Sequence, residues 1–326
     1  MEAYDQRSAD AAAERAASVL RPGGALTQLD NLAIWVAGWQ GSDRPVVDEP
    51  AALVFAGDHG VAVEGVSAYP AEITASMLAA VERGQATINA IADTMGATVR
   101  VIDVGVGAPT GNIRVEDAMS LERFALVFEA GRDAVRGTET DLLVLGELGI
   151  GNTTAAAAVT AAVLGGDVAP FVGRGTGIDD DALAHKVAVV QDAVARVGDE
   201  DDPLELLRQL GGTELVAMAG AMVEARAQAI PLLLDGYIAT APAVVLHAVD
   251  PALTGNVRAG HRSAEPGHGL ALERLGLEPL LTLDFRLGEG SGAMTAVPLV
   301  MAGCDAVSNV ATFDEFFGSQ PGATDS

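Results

Sequence analysis

Three segments of the chain set polar side chains among glycines. Arg286-Leu287-Gly288-Glu289-Gly290-Ser291-Gly292-Ala293 places one acid between glycines, just after one apolar stretch and just before another. Gly146-Glu147-Leu148-Gly149-Ile150-Gly151-Asn152-Thr153-Thr154 and Gly173-Arg174-Gly175-Thr176-Gly177-Ile178-Asp179-Asp180 repeat the theme. Glycine at this density permits positive φ and lets a backbone approach a ligand closely. A single glutamate in such a loop is ordinarily a solvated turn residue. Three such loops at the ends of apolar segments read as the rim of one site.

The residue types limit the chemistry. No serine sits in a nucleophile elbow, and Cys304, the one cysteine, has no paired base. No loop continues into Gly-Lys-Ser/Thr, and none has the glycine spacing and distal acid of a dinucleotide fold. Asp179-Asp180-Asp181 has the charge to hold Mg²⁺ on a diphosphate, but an acidic helix start is the commoner explanation. His261 and His268 bracket a segment that would cover a site, and their spacing matches no zinc motif. Neither a metal nor a cofactor is therefore expected. Proton transfer and stabilisation of positive charge are left to Glu147 and Glu289. The Glu147 loop and the 173–180 loop each open a helix, whose unpaired amides suit a phosphate. Lys186, the single lysine beside 18 arginines, lies inside the second of these helices. It offers a compact ammonium rather than a planar fork, or is a chance survivor on a helix face.

The elements that must position these groups follow from periodicity. Helices are expected over 9–20 and 26–40, the latter with Trp35 and Trp39 on one face and packed in a core. A polar link, 41–50, is the expected subdomain boundary. Short apolar runs at 52–56, 98–104 and 142–145 read as strands, and 231–236 as a fourth with a carboxylate at its end. Helices fall at 71–82, 85–95, 180–196 and 206–226, the last broken at Gly211-Gly212, and Asn152 or Thr153 is expected to cap a helix of alanines. Alternating strands and helices predict an α/β fold: a mostly parallel, Rossmann-like sheet flanked by helices. Ligands of such sheets bind beyond the carboxyl ends of the strands, where Asp58, His59, Glu147 and Asp235 are expected. The tail over 317–326 is expected to be mobile.

At 326 residues the chain suits one large domain with a small appendage. Its formal net charge of −26 argues against nucleic acid or an anionic membrane as partner. The apolar run 155–166 is too short to span a bilayer, and 230–249 is broken by Asp235 and two prolines. The first ten residues lack the basic and apolar pattern of a secretion signal, so a cytoplasmic location is expected.

Taken together, Asp58-His59-Gly60-Val61 with Glu64-Gly65-Val66, the Glu147 loop, Gly173 to Asp180, Leu234-Asp235-Gly236, His261 to His268 and the Glu289 loop form an ordered set. From about Arg21 to Cys304 it resembles the nicotinate-nucleotide–dimethylbenzimidazole phosphoribosyltransferase family. The resemblance implies transfer of phosphoribose from nicotinate mononucleotide to 5,6-dimethylbenzimidazole, giving α-ribazole 5′-phosphate and nicotinate, in a metal-free homodimer. It also implies a large domain over 46–294 and a small helical one built from 1–45 and about 295–326. By the same resemblance Glu289 is the general base and Glu147 stabilises the oxocarbenium charge. Gly149, Asn152, Thr153, Thr154, Gly175, Thr176, Gly177 and Lys186 would hold phosphate and ribose. Substrate contacts are likewise implied for Asp58, His59, Asp179, Asp235, Gly288 and Gly290. Two departures stand out. Arg21-Pro22-Gly23-Gly24-Ala25-Leu26-Thr27 replaces a Pro-Pro-Gly-Ser-Leu-Gly run, and Tyr69 and Met77 stand where smaller polar or amide groups occur around the base. A non-catalytic nucleotide-binding protein on the same fold is the alternative, although two carboxylates beside an anionic ligand would repel it. A nicotinamide-dependent oxidoreductase lacks its fingerprint.

Overall fold

The computed structural model describes residues 4–318. Its centre is a sheet of six strands: β1 Pro50–Gly57, β2 Thr98–Gly105, β3 Leu142–Leu148, β4 Leu232–Leu234, β5 Val257–His261 and β6 Pro279–Leu281. All pair in parallel, in the order β2-β1-β3-β4-β5-β6. The chain leaves β1 for β2 on one side and returns to place β3 on the other. That reversal opens a crevice beyond the carboxyl ends of β1 and β3, the usual ligand position in such sheets.

Every residue of β1 and of β3 is buried, because helices cover both faces. Alternate side chains serve two cores. Leu53, Phe55, Leu143 and Leu145 join the alanine-rich helix Asn152–Leu164 and the helices Thr213–Ala227 and Tyr237–Val249 on one face. Val54, Ala56, Val144 and Leu233 meet Trp35, Trp39, Val297 and Val300 on the other. Truncating Leu145 to Ala would cost about 2–5 kcal/mol, since its surroundings are packed from both sides.

The N-terminal helices Gln6–Ser18 and Thr27–Gln40 pack with Ser291–Ser308 near the C-terminus. Val19 bridges Thr312, and Arg15 donates from Nε to the Val307 carbonyl at 2.8 Å. Trp35 and Trp39 are buried as expected, each beneath an arginine, Arg258 and Arg226. Ser291–Ser308 is long and apolar enough to cross a membrane, and most of it is buried inside the protein.

Several expectations need correction. β3 does not stop at Leu145 but runs through Glu147, so this acid stands on a strand rather than in a loop. Gly151, with φ +99°, caps the alanine helix; Asn152 already lies within it and its side chain turns elsewhere. The segment between His261 and His268 is not all loop, because the helix Pro266–Leu275 begins there. β5, β6 and the helix Leu121–Arg136 went unforeseen; β5 (Val-Arg-Ala-Gly-His) and the three-residue β6 have little apolar pattern. Of the expected mobile tail, 319–326 lies outside the described residues.

Candidate active site

A cavity of about 430 Å³ opens at the carboxyl end of the sheet, within the range of small-molecule sites. Glu147 and Glu289 both line it, as does Asp235, and the loop carrying Gly175 and Thr176 forms one side. The three glycine segments thus meet at one rim.

Glu289 sits in a strained turn. Gly288, Glu289 and Gly290 have φ of +86°, +65° and +87°. A non-glycine residue in this region is uncommon, and holding it costs of order 1–3 kcal/mol. Two anchors hold the turn. Its backbone packs so tightly against Gly146 of β3 that a Cβ there would collide with the Glu289 carbonyl. Asp235, at the end of β4, accepts the N–H groups of Gly290 at 3.2 Å and Ala293 at 2.9 Å. Its carboxylate thereby satisfies orphan donors at the start of Ser291–Ser308 and complements the helix dipole. The Glu289 carboxylate accepts the Ile88 N–H at 3.2 Å. Burial nonetheless raises its pKa, with the Ile88 bond acting against the shift and Asp235 adding to it.

Glu147 is buried against the Gly288 backbone, and its carboxylate accepts a hydrogen bond from the Asn152 side-chain amide. Its pKa lies well above the ordinary carboxylate value, chiefly through burial and then through Asp235 and Glu214. Two acids with elevated pKa in one cavity are suited to exchanging a proton or meeting a developing cation.

Across the cavity lies a polar cradle. Thr153 and Gly175 line it, and Lys186 stands behind them, fully buried, donating to Thr153 Oγ1 at 2.7 Å and to the Gly173 carbonyl at 3.1 Å. Burial lowers the Lys186 pKa to about 8. The main-chain amides of Gly151 and Thr153, at the start of Asn152–Leu164, have no protein acceptor among the described residues. Thr176 accepts the Ala68 N–H at 2.9 Å, which ties this loop to the segment bearing Tyr69. Tyr69, 56% exposed, and Met77 form part of the wall.

Other expected contacts lie outside the cavity lining. His59 is buried, with Nε2 2.6 Å from Glu214 Oε1. Asp58 accepts the Gly107 N–H at 2.8 Å, joining the loops after β1 and β2. Asp179 caps the helix Asp180–Val197 by accepting the Ala182 N–H. Thr154, Gly177 and Gly290 are not part of the lining, while Gly149, Asn152 and Gly288 are. Among the described residues no group of three or more His, Cys, Asp or Glu is placed to hold a metal ion.

Sequence reasoning missed Ser263, Glu265 and Thr74, all of which line the cavity. The signal for the first two was the His261–His268 bracket. His268 is buried and its pKa falls to about 3, mainly through burial. It accepts the Ser263 N–H at Nδ1 (2.9 Å), which leaves Nε2 to donate to Thr240 at 3.0 Å. Nothing marked Thr74, which accepts the Ile150 N–H at 3.2 Å.

The comparisons with known proteins agree with this architecture. A family model described as a phosphoribosyltransferase matches residues 1–316. A nicotinate-nucleotide–dimethylbenzimidazole phosphoribosyltransferase of Methylocella silvestris is 47% identical over 311 residues, covering 95% of this chain and 91% of the relative. One from Cereibacter sphaeroides (strain KD131) is 46% identical over 312 residues, covering 95% and 92%. The crystal structure of CobT from Thermus thermophilus superposes with a TM-score of 0.91 at 41% identity, over 97% of this chain and all of that one. The chain belongs to the nicotinate-nucleotide–dimethylbenzimidazole phosphoribosyltransferase family.

Proposed function

We propose that the protein transfers phosphoribose from nicotinate mononucleotide to 5,6-dimethylbenzimidazole or a related base. The products are nicotinate and α-ribazole 5′-phosphate, formed by direct attack with inversion at ribose C1. The observation that carries this reading is the pairing of two buried acids, whose pKa values burial raises, on one side of the cavity with a lysine-backed amide cradle on the other.

In this reading the 5′-phosphate lies in the cradle of Gly151, Thr153, Gly175 and Lys186, which fixes ribose C1 relative to the acids. One nitrogen of the base attacks C1 while Glu289 takes the proton from the other. The C1–N bond breaks, and its electron pair neutralises the cationic ring nitrogen of the departing nicotinate. Glu147 faces the charge that develops on the ribose. A cationic ligand favours its ionised form and so opposes the effect of burial. Desolvation raises the basicity of Glu289 toward the range useful near neutrality. No step calls on a metal or cofactor.

Asp235 acts from within the lining, and Asp58, His59 and Asp179 from outside it, as anchors of the site loops. We also infer a cytoplasmic homodimer, and a small helical unit of residues 1–45 and about 295–326 beside the large domain 46–294. The Val19–Thr312 bridge and the Arg15 contacts support that grouping. Incubation with nicotinate mononucleotide and a panel of bases, followed by chromatography, tests the function. Base-dependent nicotinate release with an α-linked nucleotide supports it; no release with any base, despite bound mononucleotide, contradicts it.

A further inference from the structure

One carboxylate reaches into the cradle just assigned to the phosphate. Glu265 precedes the helix Pro266–Leu275 in the N-cap position, yet its side chain makes no capping bond to that helix. A short acceptor such as Ser, Thr, Asp or Asn there ordinarily turns back onto the first-turn amides. Glu265 instead crosses to the glycine loop, where Oε1 accepts the Gly175 N–H at 2.9 Å. Its Oε2 is buried with no hydrogen-bond partner among the described residues, packed where a side chain at Gly173 would collide with it. The same loop residue faces the cation: a Cβ at Gly175 would lie 2.9 Å from Thr153 Oγ1 and 3.4 Å from Lys186 Nζ. The charge of Glu265 also opposes the burial that lowers the Lys186 pKa, so the two groups sense each other.

The cradle therefore already contains an internal anion on one of its donors. We propose that Glu265 holds the place of the substrate phosphate: its carboxylate orients the Gly175 amide beside Lys186 and yields that amide when a phosphate monoester binds. The proposal rests on the phosphate reading of Lys186 and Gly175 above. A single N–H cannot serve two anions at full strength, and like charges brought together beside one ammonium repel. A dianionic phosphate, with three acceptor oxygens, competes well for these donors. A nucleoside without phosphate leaves Glu265 bonded and gains nothing from the cradle. Glu265 thus sets a threshold for anions at the Gly175 amide, which a dianionic phosphate crosses and a weaker, singly charged acceptor does not, and it is a specificity-determining residue.

The test is equilibrium binding by calorimetry to the full chain, with inorganic phosphate and nicotinate mononucleotide as probes. Glu265→Gln keeps an acceptor for the Gly175 N–H and removes the charge. The expected result is roughly tenfold tighter binding of both probes, the scale of one relieved charge contact at partly screened distance. Unchanged or weaker binding overturns the proposal and makes Glu265 a fixed brace. The unaltered chain supplies a second measurement through ¹⁵N-glycine labelling. The Gly175 amide resonance is expected to shift on adding inorganic phosphate, and an unmoved resonance at saturation overturns the proposal. Lys186→Met separates the underlying reading: if phosphate binds it as tightly as it binds the parent, the cradle is not the phosphate site. If Lys186→Met weakens binding while Glu265→Gln does not strengthen it, the phosphate reading stands and the placeholder falls.

Discussion

The main-chain N–H of Glu289 donates to the carbonyl of Glu147 at 3.3 Å, so the two acids of the site are joined through their backbones. Glu147 lies on β3, a central strand paired on both sides and buried throughout. The strained turn at Glu289 is strapped to that strand and pinned at its far side by Asp235. The spacing of the carboxylates is thus set by the sheet. Such preorganisation is what acid–base chemistry at a fixed carbon requires.

Gly146→Ala tests that arrangement. The added methyl would push the Glu289 carbonyl from β3 while leaving both carboxylates in the chain. A displacement near 1 Å is expected to lower kcat by about a hundredfold, with nicotinate mononucleotide affinity changed far less. Steady-state kinetics beside calorimetric binding would show the split; equal losses in both would point to general unfolding.

Lys186 predicts a pH dependence on the basic side. With a pKa of about 8 in the free protein it is cationic below that value and neutral above it. Affinity for nicotinate mononucleotide is expected to fall by about tenfold between pH 7 and pH 9, as one charge-assisted contact to phosphate is lost. Lys186→Met should start weak and show little further dependence on pH. Calorimetric titration at several pH values checks both.

Burial of Glu147 predicts a stability effect of definite sign. A carboxyl whose folded-state pKa exceeds its unfolded value favours the fold when protonated, and that contribution is lost as pH rises through the folded pKa. Glu147→Gln, a neutral isostere, escapes the loss. Its Tm at pH 7 is expected to exceed the parent's by about 2–4 °C, the shift that ~1 kcal/mol gives in larger domains. The gap should close as pH falls below the ordinary carboxylate value of 4.5. Turnover is expected to drop in the same variant, as a strained or desolvated functional group trades stability for activity. Thermal scans from pH 4 to pH 8 decide it.

Tyr69 is expected to govern which base enters. It is 56% exposed on the wall and belongs to the segment tied to Thr176. Tyr69→Ala should change the ratio of kcat/KM between 5,6-dimethylbenzimidazole and adenine by about 10-fold, the scale of one lost apolar contact, with the KM for nicotinate mononucleotide less affected. Competition assays with the two bases measure the ratio.

Much of this was legible in the residues. The run at 52–56 is dense enough in apolar side chains to declare a buried strand, that at 98–104 reads as the strand that forms the partly exposed sheet edge, and glycine beside Glu147 and Glu289 marked the rim. What stayed hidden has physical reasons. Glu147 extends β3 because main-chain pairing with Phe55 of β1 continues past the apolar run, and a polar side chain gives no sign of that. His59 looked like a ligand because it follows a strand. Its partner Glu214 is 155 residues away, a tertiary contact that no local pattern encodes. Glu265 sat in a segment marked as a cover, and its bond to Gly175 spans 90 residues.

Glu289 is the proposed acceptor of the proton that the attacking base gives up. Single-turnover assays of Glu289→Gln with saturating nicotinate mononucleotide and 5,6-dimethylbenzimidazole test it most directly, with mononucleotide binding measured alongside. A loss of about 10²–10⁴-fold in the chemical step is expected, the usual contribution of a positioned base, with the mononucleotide still bound. Turnover at the parent's rate would contradict the assignment and move the proton to another acceptor.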